Sequence, residues 1–315
     1  MKKILLSIIC LMILGIQSAM AITAQIVLRH QGNVTQFNPD ELPSAIDAAV
    51  DGDTILLSAG TFDYGSGITI AKAITIIGAG AENTIIKNRI DINFSANPTL
   101  TAHLLDGVRI TGALYVDDSV IGLKLRKCVL DEGISVTGGS TIIREMLIDR
   151  CKTGVIALSS RFMDMTVVNS DVQVYGSGYT PDAVVFSNCN VVMGYNSITI
   201  TASFINCYIT NWTSSAGVNS DISFTNCLGP SDFWEKWSVA TKNNCYTYTT
   251  VSTEMDNPEY FQQQGWLGTD DTAVGMYGGT TPFSLEPNAP KVTNYTIGVD
   301  TKTHTLNVKM TLSAN

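Results

Sequence analysis

Basic residues concentrate in one stretch of the sequence, where they would suit an anionic ligand. Seven lysines and arginines, Lys127 among them, fall between residues 109 and 152, and none lies between residues 162 and 235. A polysaccharide lyase needs a base together with Ca²⁺ or arginine to neutralise the uronate carboxylate. Ca²⁺ is therefore expected only if the chain is a lyase. The candidates for contact with an anionic sugar are Arg109, Lys124, Arg126, Arg144, Arg150 and Lys152.

Acidic residues interleave with these cations, and this favours a solvated face of compensated charges over a site. The acidic side chains of this stretch are Asp117, Asp118, Asp131, Glu132, Glu145 and Asp149. Asp117 and Asp118 are not followed by the Gly-His-Gly or Arg-Ile-Lys signatures of a polygalacturonase. The sequence identifies no catalytic residue.

Aromatic residues in or beside the stretch without positive charge offer a different chemistry. Aromatic rings can stack on the apolar faces of neutral sugars. The candidates are Tyr179, Tyr195, Tyr208 and Trp212. Packing in the core or in the C-terminal cap is the alternative for some of these rings, and Trp234 and Trp237 have the spacing of one helical face.

No metal site is predicted. His30, His103 and His304 lie far apart and lack the spacing of ligands. Asp270 and Asp271 would suit calcium or an acid pair, but glycines flank them, so we expect them to shape a loop.

The first 21 residues predict a signal peptide, because Lys2 and Lys3 precede an apolar run that ends at a small-x-small site. We therefore expect a secreted protein in the periplasm, on the outer surface or outside the cell, with no stable membrane span after cleavage. The net charge of −9 becomes more negative without the two lysines, and this argues against binding to nucleic acid. The oligomeric state stays open.

A repeat of about 20 residues carries the signal for the fold. Cysteine follows asparagine in four successive units, and the pattern extends back through Cys128, Cys151 and Ser170, which follow Lys127, Arg150 and Asn169. Short β-rich segments between turn residues predict an all-β, single-stranded right-handed parallel β-helix whose turns stack about 4.8 Å apart. The predicted structural columns comprise Asn188, Cys189, Asn206, Cys207, Asn226, Cys227, Asn244 and Cys245.

Each column has a physical reason. Asparagine tolerates a left-handed turn and can pass hydrogen bonds from copy to copy. Cysteine packs as a small apolar side chain. Because stacked Cβ atoms point in parallel directions, we expect free thiols and no disulfides.

The two ends differ from the repeats. Residues 41–50 predict a short capping helix. Strands from Lys291 to Gly298 and from Thr303 to Leu312 predict a hairpin that closes the stack. The resulting segments are a signal peptide (1–21), a lead-in (22–40), the β-helix with its N-terminal cap (41–250) and a C-terminal capping segment (251–315).

Two stretches resemble known proteins. Residues 51–62, which begin Gly52-Asp53-Thr54-Ile55 after an aspartate, resemble the opening coil of the pectin-lyase-like superfamily, with Ala59 in place of its proline and Phe62 in place of its tyrosine. The glycine-dense residues 265–279 and Pro282-Phe283 resemble the ending of uncharacterised secreted β-helix proteins of Gram-negative bacteria. The resemblance implies the fold and no single activity, because lyases, hydrolases, adhesins and scaffolds share it.

These observations favour a non-catalytic secreted or surface β-helix that binds polysaccharide or is displayed among glycans. The alternatives are a divergent polysaccharide lyase acting on an anionic polysaccharide, and a structural envelope protein without a ligand.

Overall fold

A computed structural model shows a parallel β-solenoid of about eight turns, which confirms the predicted all-β class and β-helix architecture. The structure describes residues 24–94, 101–137, 141–158, 161–176, 183–193, 201–212, 222–237, 240–250, 252–255, 257–287, 291–300 and 305–313.

Successive turns build two long sheets. Sheet 1 contains, in stacking order, Asn33–Phe37, Ile26–His30, Thr54–Leu57, Thr75–Ile77, Thr101–Asp106, Val120–Arg126, Leu147–Asp149, Thr166–Val168, Val184–Ser187, Ala202–Ile205, Ile222–Thr225 and Thr241–Asn243, with Ile143–Arg144 and Phe162–Met163 alongside. Sheet 2 contains Gly60–Phe62, Thr84–Ile86, Arg109–Ile110, Val129–Val136, Lys152–Leu158, Asp171–Gly176, Asn190–Met193, Tyr208–Trp212, Leu228–Pro230 and Tyr246–Tyr248. The early turns add a third strand each, and these strands join sheet 2 as a branch through Val129–Val136: Ile68–Ile70, Ile90–Ile92 and Leu114–Val116.

Stacking in register creates the core. One inward column of sheet 1 runs through Ile55, Ile76, Leu105, Leu125, Ile148, Val167, Phe186, Phe204 and Phe224. The ring centroids of Phe186 and Phe204 lie 4.7 Å apart and those of Phe204 and Phe224 lie 5.1 Å apart. These side chains are at most 2% exposed, so like residues shield one another from water along the whole stack.

The residues of the predicted turn column share one backbone conformation. They have φ values between 46° and 55°, in the left-handed region: Lys127, Arg150, Asn169, Asn188, Asn206, Asn226 and Asn244. The amide ladder is present where Asn226 donates to Asn206 at 3.4 Å and Asn244 donates to Asn226 at 2.7 Å. The cysteines of the next column are all free thiols, as expected, and only Cys245 among them is partly exposed.

The N-terminal end contains the predicted helix α1, Leu42–Ala48, which buries Leu42, Ala45 and Ile46. Residues 26–37 of the predicted lead-in form two antiparallel strands, and the first of them pairs antiparallel with Thr54–Leu57. This pairing was not predicted, and it covers the edge of the first turn of sheet 1.

Two further short helices lie towards the C-terminal end. The helix α2, Ser231–Lys236, lies within the last repeat, before the strand Thr241–Asn243, and α3, Pro258–Gln263, follows the repeats. Phe233 and Trp237 are fully buried and contact Phe224, so α2 extends the core beyond its last phenylalanine. In the described ranges, no helix has the length and apolar character needed to cross a membrane.

Lys291–Asp300 and Thr305–Ser313 form the predicted hairpin. These two strands constitute a sheet of their own. Closure of the stack by this hairpin stays a prediction.

Residues 266–287, named the strap here, run back along the turn column from the late turns to the early ones. The Thr269 N–H donates to the Asn206 side chain at 3.1 Å, and the Asn169 amide donates to the Gly278 carbonyl at 2.6 Å. Further back, the Lys127 ammonium donates to the Glu286 carbonyl at 2.6 Å. The strap therefore connects turns that lie far apart along the solenoid.

Close approach explains the glycines of the strap. A Cβ atom at Gly268 would lie 2.7 Å from Asn206 Cγ, and one at Gly279 would lie 2.2 Å from Asn188 Nδ2. Both distances are shorter than atoms allow, so only glycine lets the backbone lie against the asparagine turns.

Candidate functional site

The six predicted basic residues do not converge on one groove. Arg109 and Lys152 lie on sheet 2, where both align with Val129 of the intervening turn. Lys124, Arg126 and Arg144 lie on sheet 1. Side chains on different sheets of the solenoid face different sides of the molecule, so the cluster in sequence is divided in space.

Carboxylates compensate four of these six cations. The shortest N···O distances are 3.0 Å for Arg109–Asp131, 2.5 Å for Arg126–Asp106, 2.6 Å for Arg150–Asp149 and 3.7 Å for Lys152–Asp171. The hydrogen-bonded Asp106 raises the pKa of Arg126. The arrangement supports the interpretation of a face of compensated charges. Lys124 and Arg144 are exposed and form no ion pair with any described residue.

The expectation of an exposed ring is wrong for Tyr208. This side chain is 3% exposed, and its ring packs against Phe261 at 5.2 Å and Tyr248 at 5.9 Å between centroids. It stabilises the attachment of the C-terminal segment and has no free face for a sugar. Tyr179 and Tyr195 lie outside the described residues, as does the side chain of Trp212, whose backbone pairs with Met193.

The other candidates have structural contacts. The Asp270 carboxylate accepts hydrogen bonds from the Thr272 N–H at 3.2 Å and from its hydroxyl at 2.8 Å, so it shapes the loop as expected. His103 is 2% exposed and stacks on Phe94 at 4.4 Å. Burial lowers the pKa of His103 to about 4. No group of three or more His, Cys, Asp or Glu side chains in the described ranges is placed to hold a metal ion.

A groove that the sequence did not predict lies between sheet 2 and its branch. Its volume is about 370 Å³, and it crosses the bends that precede the aligned branch positions Ile68, Ile90, Leu114 and Ile134. The groove is lined by Ser66, Gly67, Asn88, Arg89, Thr111, Gly112, Tyr115 and Glu132.

Glycines keep this groove open. A Cβ atom at Gly67 would lie 2.7 Å from Cγ of Arg89, and one at Gly112 would lie 2.7 Å from the carbonyl carbon of Asn88. The Asn88 N–H donates to the Thr111 hydroxyl at 3.2 Å, which ties the two neighbouring bends together. The bends at Asn88 and Gly112 therefore pack closely against each other only where glycine is present.

Arg89 and Tyr115, two of the residues that line the groove, contact each other. The guanidinium carbon of Arg89 lies 5.3 Å from the centroid of the Tyr115 ring, within the range of a cation–π contact. Arg89 Nε also donates to Asp91 at 3.1 Å, and Asp91 pairs with Tyr115 in the strand register. Two contacts thus fix the orientation of Arg89, whose side chain is still 58% exposed.

The groove supplies hydrogen bonds of both kinds. The Arg89 guanidinium donates only, the Glu132 carboxylate accepts, and the Tyr115 and Ser66 hydroxyls and the Asn88 amide can do both. Arg89, Tyr115 and Glu132 are its only titratable lining residues. This set can bind a ligand rich in hydroxyl groups, and it lacks a paired nucleophile and base.

Neither a family model, nor a curated protein, nor a solved structure matches this chain. Membership of the pectin-lyase-like superfamily stays a prediction from the two resembling stretches.

Proposed function

We propose that this chain is a non-catalytic β-solenoid that binds glycans, with the sugar held in the groove at Tyr115. The observation that supports this proposal most strongly is a polar groove that crosses successive turns and is lined by a half-buried tyrosine in contact with an oriented arginine. Turns repeat about every 4.8 Å, so equivalent backbone positions recur along the groove at a spacing comparable with one sugar unit.

The chemistry of the lining supports a sugar. A sugar hydroxyl both donates and accepts hydrogen bonds, and the groove offers partners for both roles. A tyrosine that is partly buried presents apolar ring edge together with a polar hydroxyl, which suits the mixed surface of a pyranose.

A binding role is favoured over the lyase alternative. A lyase needs a base beside a cation that is free to neutralise the uronate carboxylate. In the groove, Arg89 is paired with Asp91, and the predicted cations Arg109, Arg126 and Arg150 are paired elsewhere. The signal peptide predicted for residues 1–21 leads us to place this binding in the periplasm, on the outer surface or outside the cell.

The test is glycan binding without turnover. The purified chain is presented to a panel of neutral and uronate oligosaccharides, and binding is compared for the wild type, Tyr115→Ala and Tyr175→Ala. Tyr175 is a matched control, because it is also a partly buried tyrosine on a strand of sheet 2 but lies outside the groove lining. We expect Tyr115→Ala to weaken binding at least tenfold and Tyr175→Ala to leave it unchanged, with both variants retaining the circular dichroism of the wild type.

Two results would contradict the proposal. Equal glycan binding by the wild type and Tyr115→Ala would show that the groove at Tyr115 is not the binding site. A rise in ultraviolet absorbance on incubation with uronate polymers would show unsaturated sugar ends, and the protein would then be a lyase.

A further inference from the structure

We infer that the groove selects neutral glycans over uronate-containing ones and that Glu132 is the residue that sets this selection. The inference rests on the proposed function, because it names the class of sugar for the same groove. It is carried by the charges around the groove and by the way the chain places Glu132.

Among the described residues, no uncompensated cation lines the groove. The one basic residue of the described lining, Arg89, is paired with Asp91, whose side chain is 11% exposed. Of the cations on the same turns, Lys87 is paired with Asp63 at 3.1 Å and Arg109 with Asp131 at 3.0 Å. Glu132 is exposed and forms no ion pair within the described part of the chain. The groove therefore carries a net negative charge, which repels a carboxylate on the ligand.

The unpaired cations of the neighbouring turns face elsewhere. Lys124 and Arg144 belong to strands of sheet 1, Val120–Arg126 and Ile143–Arg144, and neither lines the groove. An acidic sugar in the groove would thus meet Glu132 without a compensating partner. Neutral sugars avoid this repulsion.

A bulge in the chain places Glu132 at the groove. The register between Val129–Val136 and Lys152–Leu158 shifts between Leu130 and Gly133, so Asp131 and Glu132 stand outside the regular pairing. Bulges redirect side chains locally. Here Asp131 pairs with Arg109 of the preceding turn, and Glu132 lines the groove.

The bulge has a specific requirement at Gly133. Gly133 has φ of +94°, and a Cβ atom there would lie 2.0 Å from the Val155 carbonyl oxygen. Only glycine fits this position, so the placement of Glu132 is built into the backbone.

The carboxylate also offers a positive reason for neutral sugars. An ionised carboxylate accepts hydrogen bonds only, and its bonds from hydroxyl groups are charge-assisted and short. Neighbouring sugar hydroxyls can donate to its two oxygens, whereas a uronate carboxylate has no proton to donate at neutral pH.

Charge changes at Glu132 provide the experiment. Isothermal titration compares a neutral oligosaccharide and a uronate oligosaccharide of equal length, using the wild type, Glu132→Gln, Glu132→Lys and Glu145→Lys. Glu145 is the matched control, because it is an exposed glutamate whose reversal changes the net charge equally and which does not line the groove. We expect the wild type to bind the neutral ligand at least tenfold more tightly.

The variants separate charge from packing. Glu132→Gln should reduce the ratio of the affinity for the neutral oligosaccharide to that for the uronate one. Glu132→Lys should bind the uronate more tightly than the neutral ligand, and its binding of the uronate should weaken as the salt concentration rises. Glu145→Lys should retain the wild-type preference.

The outcomes of the two proposals are distinguishable. If the wild type binds the uronate as tightly as the neutral ligand, or if Glu132→Lys keeps the wild-type preference, this inference is wrong while glycan binding stands. If the wild type binds no glycan of either class, the proposed function itself is wrong.

Discussion

The turns between residues 101 and 158 are rich in charged residues and are called the charged turns here, whereas the turns between residues 183 and 248 carry few and are called the charge-poor turns. The two sets share one backbone pattern but use different side chains. Their inward column changes from Leu105, Leu125 and Ile148 to the phenylalanine ladder of residues 186, 204 and 224. Aliphatic side chains fill the interior of the first region, and stacked rings fill that of the second. The register is the same, so the repeat requires apolar volume at this position and accepts either shape.

The turn column shows the same contrast. Lys127 and Arg150 adopt the left-handed conformation in the charged turns, as Asn188, Asn206 and Asn226 do in the charge-poor ones. Lys127 donates to the strap and Arg150 pairs with Asp149, whereas Asn226 donates to the asparagine of the adjacent turn. The comparison shows that the fold fixes the backbone conformation at each position of the turn column, whereas the type of side chain and its contacts can differ from turn to turn.

The largest expected loss of stability compares the phenylalanine part of the inward column with its aliphatic part. Phe204→Ala removes a fully buried ring stacked between two others and should reduce the free energy of unfolding by about 4 kcal/mol. Leu125→Ala, at the same inward position of a charged turn, should cost about 3 kcal/mol. Denaturant unfolding followed by circular dichroism and by tryptophan fluorescence measures both. A cost below about 1 kcal/mol for Phe204→Ala would mean that the ladder adds little to the core.

A pH dependence is expected from His103 in the charged turns. Burial holds the pKa of His103 at about 4, against an ordinary value near 6.5. Below pH 6.5 the unfolded chain binds a proton that the folded chain does not, so stability falls as the pH falls from 6.5 towards 4. Between pH 7 and pH 5 the loss should be about 2 kcal/mol.

His103→Leu serves as the comparison for this loss. The variant should lose most of this dependence on pH in that interval, because it lacks the buried imidazole of His103. Denaturant unfolding of both proteins at pH 7 and pH 5 measures this difference. If His103→Leu lost as much stability as the wild type between the two pH values, the dependence would arise from other groups.

A smaller loss of stability should distinguish an asparagine that contacts the strap from one whose hydrogen bond is made to a neighbouring asparagine. Asn206→Gly keeps the left-handed turn accessible but removes the acceptor of the Thr269 N–H, so it should destabilise the protein by about 1–2 kcal/mol. Asn244→Gly loses only the hydrogen bond to Asn226 at an exposed position and should cost less. Thermal unfolding with limited proteolysis of the strap measures the difference. Equal costs would contradict the strap's dependence on the asparagine column.

The smallest energetic effect concerns the thiols. Burial raises the pKa of Cys151, Cys189 and Cys227, whereas the hydrogen bond with Cys227 lowers the pKa of Cys245 to about 7. In the native protein Cys245 should therefore react first with a thiol reagent. Cys245→Ser should abolish that fast reaction and change stability by less than about 0.5 kcal/mol.

Titration of the denatured, unreduced protein checks the whole column. It should detect free thiols at Cys128, Cys151, Cys189, Cys207, Cys227 and Cys245. Finding no thiols would mean that the cysteines pair.

The sequence predicts those parts of the fold that repeat. The spacing of Cys189, Cys207 and Cys227 and of the asparagines before them predicted the stacked turns and the left-handed column. Such positions recur because each turn meets its copy, so their physical requirement is visible in the chain itself.

The parts that do not repeat escaped prediction. Thr269 meets Asn206, 63 residues away, and local spacing carries no signal of that contact. The groove depends on single residues from several bends, such as Asn88 and Thr111, whose types are ordinary for turns. Tyr208 was expected at the surface because its sequence neighbours do not show that Phe261 covers it.

The path of the strap has a consequence for how this architecture can change in length. Solenoids ordinarily gain or lose units by duplication or deletion, because each unit contacts only its neighbours. Here Thr269 is tied to Asn206, and Glu286 to Lys127, at the two ends of a fixed interval. A unit inserted in that interval would separate the two anchors by a further 4.8 Å or so, about one and a half residues of extended chain. Each duplication would then need an insertion of matching length in the strap before residue 287. The number of units and the length of the strap can therefore change only together.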